Sequence, residues 1–253
     1  MEIMLLSFVG AAAGLAGFTQ GLAGFGSTLV ALPVLGAVLP ARAATPLGCL
    51  MALAINACLI ARLRGRVSWR DLGLLLAASL PGMALGAWML GDAPEALLKG
   101  LLGGYLVWCG ARGYRAASRP PHAPAGDRLA GGAAAGLAAG FLGVAIGVNG
   151  PPVVAWASRR MTCRDALRAT LAGYFLAAGT GIVGAQWAKG LVTPQVLGLF
   201  ALSLPALATG LAAGALLCGR ISEPGFRRAV FGLLTAAGVG LVWQALDKVR
   251  LGV

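Results

Sequence analysis

Residues 3 to 40 form one apolar run that is too long to cross a membrane once. As a single α-helix rising 1.5 Å per residue it would measure about 57 Å, against a bilayer hydrocarbon core of about 30 Å. Inside it lies Gly21-Leu-Ala-Gly-Phe-Gly-Ser-Thr-Leu-Val-Ala-Leu-Pro33, and a matching stretch, Gly143-Val-Ala-Ile-Gly-Val-Asn-Gly-Pro-Pro-Val-Val154, interrupts a second apolar run. In hydrocarbon an unpaired backbone N–H or C=O costs several kcal/mol, so non-helical chain at depth persists only where protein buries it or a cavity hydrates it. Each stretch is therefore expected to be the broken middle of a membrane hairpin, and each break marks a candidate site. The competing reading is that the glycines only let helices pack closely, as small-xxx-small interfaces do.

Capping chemistry sharpens the expectation. Ser27 and Thr28 suit the start of a new helix, and Asn149 or Gly150 suits the cap of one that begins with Pro151 and Pro152. In the first hairpin the arms are expected to end near Phe18 and to run from Thr28 to Leu39. Two half-helices would then begin inside the membrane, with N-termini that carry partial positive charge and free N–H donors. Facing one another, they would cradle a small anion without a buried Lys or Arg, as broken helices do in inverted-repeat transporters. Gln20, beside the first bend, and Asn56, in the next span, are each either a ligand group or an interhelical hydrogen-bonder.

The rest of the chain agrees with a membrane setting. It is 58% hydrophobic and 11% charged, with a mean hydropathy of +0.84, which defines a polytopic all-α membrane protein with no soluble domain left over. The first apolar stretch follows Glu2 and lacks a convincing cleavage site, so it reads as mature protein. A net charge of +12 does not imply nucleic acid, because the arginines cluster at the ends of apolar runs, as the positive-inside rule describes, with no aromatic-interleaved basic patch. Cys49, Cys58, Cys109, Cys163 and Cys218 have no Cys-x-x-Cys spacing and read as small core residues. His122 is the single histidine and builds neither a metal site nor a proton relay, and no cofactor is expected. Trp69, Trp187 and Trp243 sit near span ends, where they anchor at the interface.

Spans are expected at about residues 42–63, 72–90, 97–111, 165–187, 195–218 and 226–246. Residues 112–128 form a basic, Pro-rich linker that separates a first membrane repeat, 1–111, from a second, 129–253. Gly132-Ala-Ala-Ala-Gly-Leu-Ala138 repeats Gly10-Ala-Ala-Ala-Gly-Leu-Ala16, and Ser203-Leu-Pro205 repeats Ser79-Leu-Pro81, in the same order at nearly the same offset. The basic loops at 62–70, 112–128, 159–168 and 220–228 all face the cytoplasm only if both glycine-broken runs are re-entrant. Each half then holds a re-entrant hairpin plus three transmembrane helices, the repeats are inverted, and both termini lie outside. Eight simple spans are the alternative. Pro81 and Pro205 are either flexing points or static kinks. Asp165 and Arg168 read as an exposed helix-end pair.

A two-repeat membrane chain with Gly21-Leu-Ala-Gly-Phe-Gly26 and Pro33 in one half and Gly147-Val-Asn-Gly-Pro-Pro152 in the other resembles the sulfite exporter TauE/SafE family over nearly its whole length. The resemblance implies transport of small anions, such as sulfite or organosulfonates of the sulfoacetate type, across the bacterial inner membrane. It places substrate on Gly21, Gly24, Gly26, Ser27 and Thr28, beside Gln20, with Gly143, Gly147, Asn149, Gly150 and Pro151 opposite. Ser27 and Asn149 depart from the family's fuller glycine triplets and bear on which anion fits. Alternating access by rocking of the repeats is the expected mechanism. A gated anion channel and a non-transporting structural membrane protein are the alternatives. An enzyme is not expected, since Ser27 has no membrane histidine to activate it. The expected partners are a small anionic substrate and the lipid bilayer, and a homo-oligomer is compatible with the sequence.

Overall fold

Ten helices follow one another in the described residues of the computed structural model, which are 2–88, 95–116, 128–146, 149–161 and 163–251, and no strand is among them. They are α1 (Glu2–Ala23), α2 (Ser27–Gly36), α3 (Ala41–Leu63, extended by a 3-10 turn, Arg64–Arg66), α4 (Trp69–Trp88), α5 (Glu95–Ala116), α6 (Arg128–Ile146), α7 (Gly150–Arg160), α8 (Arg164–Ala188), α9 (Pro194–Arg220) and α10 (Glu223–Leu251). Gly147, Asp92, His122 and the middle of the 112–128 linker lie outside the described residues. Five stretches are long and apolar enough to cross a membrane: Met4–Ala23, Arg42–Arg66, Arg164–Ala188, Pro194–Arg220 and Pro224–Asp247. The described residues are thus those of a helical, multi-pass membrane protein; four of the five stretches match expected spans, α4 and α5 occupy the positions of the remaining two, and Met4–Ala23, expected as a hairpin arm, is itself long enough to cross.

The pattern of long, short, long, long, long occurs once in each half. α2 begins at Ser27 and α7 at Gly150, α3 at Ala41 and α8 at Arg164, each pair 123 residues apart. Both short helices follow a glycine-containing break. The arms of the first break differ from expectation: α1 continues past Phe18 to Ala23, and α2 starts at Ser27 and stops at Gly36. The turn is made instead by Gly24 and Gly26, whose φ angles of 82° and 94° lie in the left-handed region that other residues avoid.

The chain divides into two units, each built from both halves. The first combines Met1–Val67 with Arg168–Ile221, and the second combines Ser68–Leu167 with Ser222–Val253. In the first unit α1 packs along α9, and α2 folds back beside α1 and against α3. Their shared core runs from Val9, Ala12, Ala13 and Ala16 of α1 through Ala31 and Leu35 of α2 and Leu47, Met51 and Ile55 of α3 to Leu207 and Leu211 of α9. In the second unit α6 packs along α4, α5 along α10, and α7 against α6. Arg160, at the end of α7, pairs its Nε with Asp71 Oδ1 at 3.5 Å, and Ser68 Oγ donates to Asp71 Oδ2 at 2.7 Å, so the end of α7 is tied to the start of α4.

Glycine sets how near these helices come. A Cβ on Gly210 would strike the carbonyl of Gly14, one on Gly214 the carbonyl of Phe18, and one on Gly21 the Leu211 carbonyl oxygen at 2.5 Å. α6 uses Gly136 and Gly140 in the same way against the carbonyls of Leu75 and Ser79 on α4. Ser79 Oγ donates to Leu75 O at 2.7 Å and reaches Gly136 O across the interface at 3.1 Å. Both repeated Gly-Ala segments thus serve helix contact, each against the Ser-Leu-Pro helix of the other half. Pro81 and Pro205 lie inside helices that continue through them.

Gly214→Val is expected to destabilise the protein by about 1–3 kcal/mol through overpacking. Gly198→Val, on the same helix with open space around it, should change stability by less than about 0.5 kcal/mol. Thermal unfolding of the two variants in mild detergent compares them directly.

Candidate functional site at the helix breaks

The first break has to satisfy the last carbonyls of α1 and the first N–H groups of α2, none of which has an intrahelical partner. Two side chains and one backbone bond meet part of that demand. Gly24 N–H donates back to Gln20 O at 2.8 Å, closing the end of α1. Arg168, from the first turns of α8, donates through Nη2 to the carbonyl of Gly21 and through Nη1 to Cys218 Sγ at 3.5 Å. A guanidinium at a helix C-terminus also meets the negative end of the helix dipole. Gln20 Oε1 accepts from the backbone N–H of Ser27 at 3.2 Å, and Gln20 Nε2 donates to Asn56 Oδ1 at 2.5 Å. Asn56 Nδ2 in turn donates to Ala52 O at 2.8 Å.

Gln20, Ser27, Asn56 and Arg168 are all buried, between 1% and 5% exposed. One expectation is corrected here. Arg168 does not sit exposed at a helix end, because its guanidinium is buried and turns inward to the Gly21 carbonyl of α1. Ser27 and Thr28 do open α2, with Gly26 at the N-cap position and no side-chain cap bond, and Gln20 supplies an acceptor for the Ser27 N–H. Gly24 is needed twice over, for its positive φ and because a Cβ would lie 2.7 Å from Arg168 Cγ. Gly21 turns toward α9, so its glycine character serves packing. Thr28 is half-buried in the first turn of α2, where helix geometry leaves its N–H and that of Leu29 without intrahelical partners.

The depth of this break can be read along α3. Asn56 lies seven residues before Leu63, about 10 Å along the helix axis, so the Gln20–Asn56 bond sits that far inside the end carrying Arg62, Arg64 and Arg66. Charge in the unit is one-sided. Its sequence contains Arg42, Arg62, Arg64, Arg66, Arg168, Lys189 and Arg220 against a single acid, Glu2.

The second break is built differently. α6 ends at Ile146, Asn149 takes the N-cap position of α7 with φ −98° and ψ −19°, and its side chain makes no cap bond. Gly150 opens the helix, and Pro151 and Pro152 follow in the first turn, where a missing N–H costs nothing. A Cβ on Gly143 would lie 3.1 Å from Asn149 Cβ, so Gly143 and Asn149 are close neighbours. Pro151, Pro152, Val153, Val154 and Ala155 are buried. Among the described residues no cluster of His, Cys, Asp or Glu could hold a metal. Cys218 is buried beside Arg168, whereas Cys58 and Cys163 are exposed rather than core.

Gln20→Leu and Asn56→Leu should be non-additive, with a coupling energy of about 0.6 kcal/mol and at most about 1.7 kcal/mol, the range for interhelical hydrogen bonds in membranes. A double-mutant cycle on unfolding in detergent measures it. Arg168→Met is expected to cost about 1.5–3 kcal/mol, as for loss of charged hydrogen bonds, while Arg220→Met, at an exposed helix end, should cost less than about 0.5 kcal/mol. Equal effects in the same unfolding assay would contradict the bracing role of Arg168.

Similarity to known proteins agrees with this architecture. The chain is 29% identical over 178 residues, 70% of its own length and 73% of the relative's, to a protein of Comamonas testosteroni named probable inner membrane transporter protein TsaS. No solved structure matches it. The family model described as sulfite exporter TauE/SafE matches residues 9–241, which include both breaks and every helix from α2 to α9. The protein is therefore a membrane transporter and not an enzyme, and it belongs to the sulfite exporter TauE/SafE family.

Proposed function

We propose that this transporter carries small anions, above all sulfur oxyanions and organosulfonates of the sulfite and sulfoacetate type, across the inner membrane by alternating access, with substrate held at the helix breaks. The observation that carries the reading is the electrostatics of the first break. The N-terminus of α2, the positive end of its dipole, starts beside the buried Arg168 in a unit whose sequence holds one acid. Such a site favours negative charge. The N–H groups of Thr28 and Leu29 and the Thr28 hydroxyl are the donors best placed for an oxyanion, with Gln20, Gly24, Gly26 and Ser27 holding the turn in shape. Asn149, with Gly143, Gly147, Gly150 and Pro151, forms the corresponding element of the second break. The Comamonas relative is named an inner membrane transporter, and we extend that location to this chain.

In this reading residues 1–111 and 129–253 are inverted repeats, each a re-entrant hairpin followed by three spans, joined by the 112–128 linker. Three features support it: the 123-residue spacing of equivalent helix starts, the reciprocal pairing of α1 with α9 and α6 with α4, and the return of α2 along α1 before the basic end of α3 is reached.

Thermal stability against sulfite, sulfate, thiosulfate, sulfoacetate, taurine, formate and chloride tests the substrate class. A bound anion at 100 times its dissociation constant should add about 2.7 kcal/mol, and Thr28→Val and Asn149→Leu should remove the gain. No shift with any sulfur anion at millimolar concentration would refute the assignment. Saturable counterflow in proteoliposomes is expected of the carrier, and single-channel currents would overturn alternating access.

A further inference from the structure

α5 and α10 run antiparallel, with Gly100 beside Ala245, Gly103 beside Val242 and Gly110 beside Thr235. On one side of this pair the walls part into an open groove of about 860 Å³. Its apolar length is lined by Val239, Trp243 and Leu246 of α10 and by Trp108 of α5, and the two tryptophans are 65% and 53% exposed. Its other end is basic, with Arg112 and Arg115 in the lining and no acid anywhere in it. The Arg112 guanidinium lies 5.0 Å from the centroid of the Trp108 ring, a cation–π contact that holds its plane while leaving its edges able to donate.

Two features of the groove specify its occupant. Arg112 and Arg115 are three residues apart on one helix face, where like charges repel unless a counter-charge joins them. An anionic group at that point would relieve the repulsion. From Arg115 to Gly104 the groove follows eleven residues of α5, about 16 Å, close to half of the roughly 30 Å hydrocarbon core of a bilayer. Charge at one end and an apolar channel one leaflet long match an amphiphile with an anionic head.

We propose that the groove between α5 and α10 binds an anionic phospholipid, with its phosphate on Arg112 and Arg115 and its acyl chains along Val239, Trp243 and Leu246. The site is separate from the helix breaks and does not depend on which anion is transported.

Native mass spectrometry of the purified protein, titrated with phosphatidylglycerol or with phosphatidylcholine of the same acyl chains, tests it. Phosphatidylglycerol should bind about thirtyfold more tightly, the factor expected from two interfacial arginines. The double variant Arg112→Gln, Arg115→Gln changes two exposed side chains and should erase that preference while leaving the melting temperature without added lipid unchanged. Trp243→Ala should weaken both lipids alike. Equal binding of the two lipids by the unaltered protein would overturn the proposal, as would a preference that survives the double variant. Displacement of phosphatidylglycerol by an equal concentration of glycerol phosphate would assign the arginines to a free phosphate instead. A dimer that the Trp243→Ala variant dissociates, with no lipid retained, would assign the groove to a second copy of the chain.

Discussion

Opening a helix inside a membrane leaves backbone groups that neither water nor lipid will satisfy, and the first break is arranged around that constraint. Gln20 is central because its amide has both an acceptor, which takes the Ser27 N–H, and a donor, which reaches Asn56. Arg168 answers the Gly21 carbonyl with a cation that also suits the dipole of α1. The result is a turn held by α1, α3 and α8 together, so its shape is set by tertiary structure and not by the turn sequence alone. Side chains that sequence alone suggested as ligands, Gln20 above all, are committed to building the turn. The N–H groups left without an intrahelical partner are those of the first turn of α2.

Glycine performs two separable tasks in this chain. Gly24 and Gly26 supply positive φ at the break, whereas Gly17, Gly21, Gly210 and Gly214 remove side-chain bulk so that α1 and α9 meet backbone to backbone. In lipid there is little hydrophobic drive to associate helices, so close van der Waals contact carries more of the stability. That makes the small-residue faces as necessary to the fold as the break is to the site. The two competing readings of the glycines thus apply to different residues of the same motif.

Much of this was legible in the sequence. The apolar runs located the helices, the glycine and proline breaks located the short α2 and α7, and the repeated segments marked surfaces that do pack in equivalent ways. What escaped was whatever depended on a distant partner. Ser27 marks the start of α2, as serine suits a helix start, but that its N–H is met by Gln20 from the preceding helix was not readable. Arg168 looked exposed because it stands one turn from a basic loop with Asp165 nearby. It donates to a carbonyl 147 residues earlier in the chain, which only the fold brings near. The signal available was the demand itself: the last carbonyls of α1 needed a donor, and Arg168 is a cation one turn inside the start of α8.

The exchange of helices between the halves has a consequence for biogenesis. α1 leaves the ribosome before α9, and its glycine-lined face finds its partner only when α9 is made, about 170 residues later. At synthesis rates of about 5–20 residues per second, that interval is roughly 10–30 s. During it the face built for the closest contact in the first unit has no native occupant. Insertion of this protein is therefore a problem of timing as well as of hydropathy, and it falls to the translocation machinery and its chaperones to keep α1 available until α9 arrives.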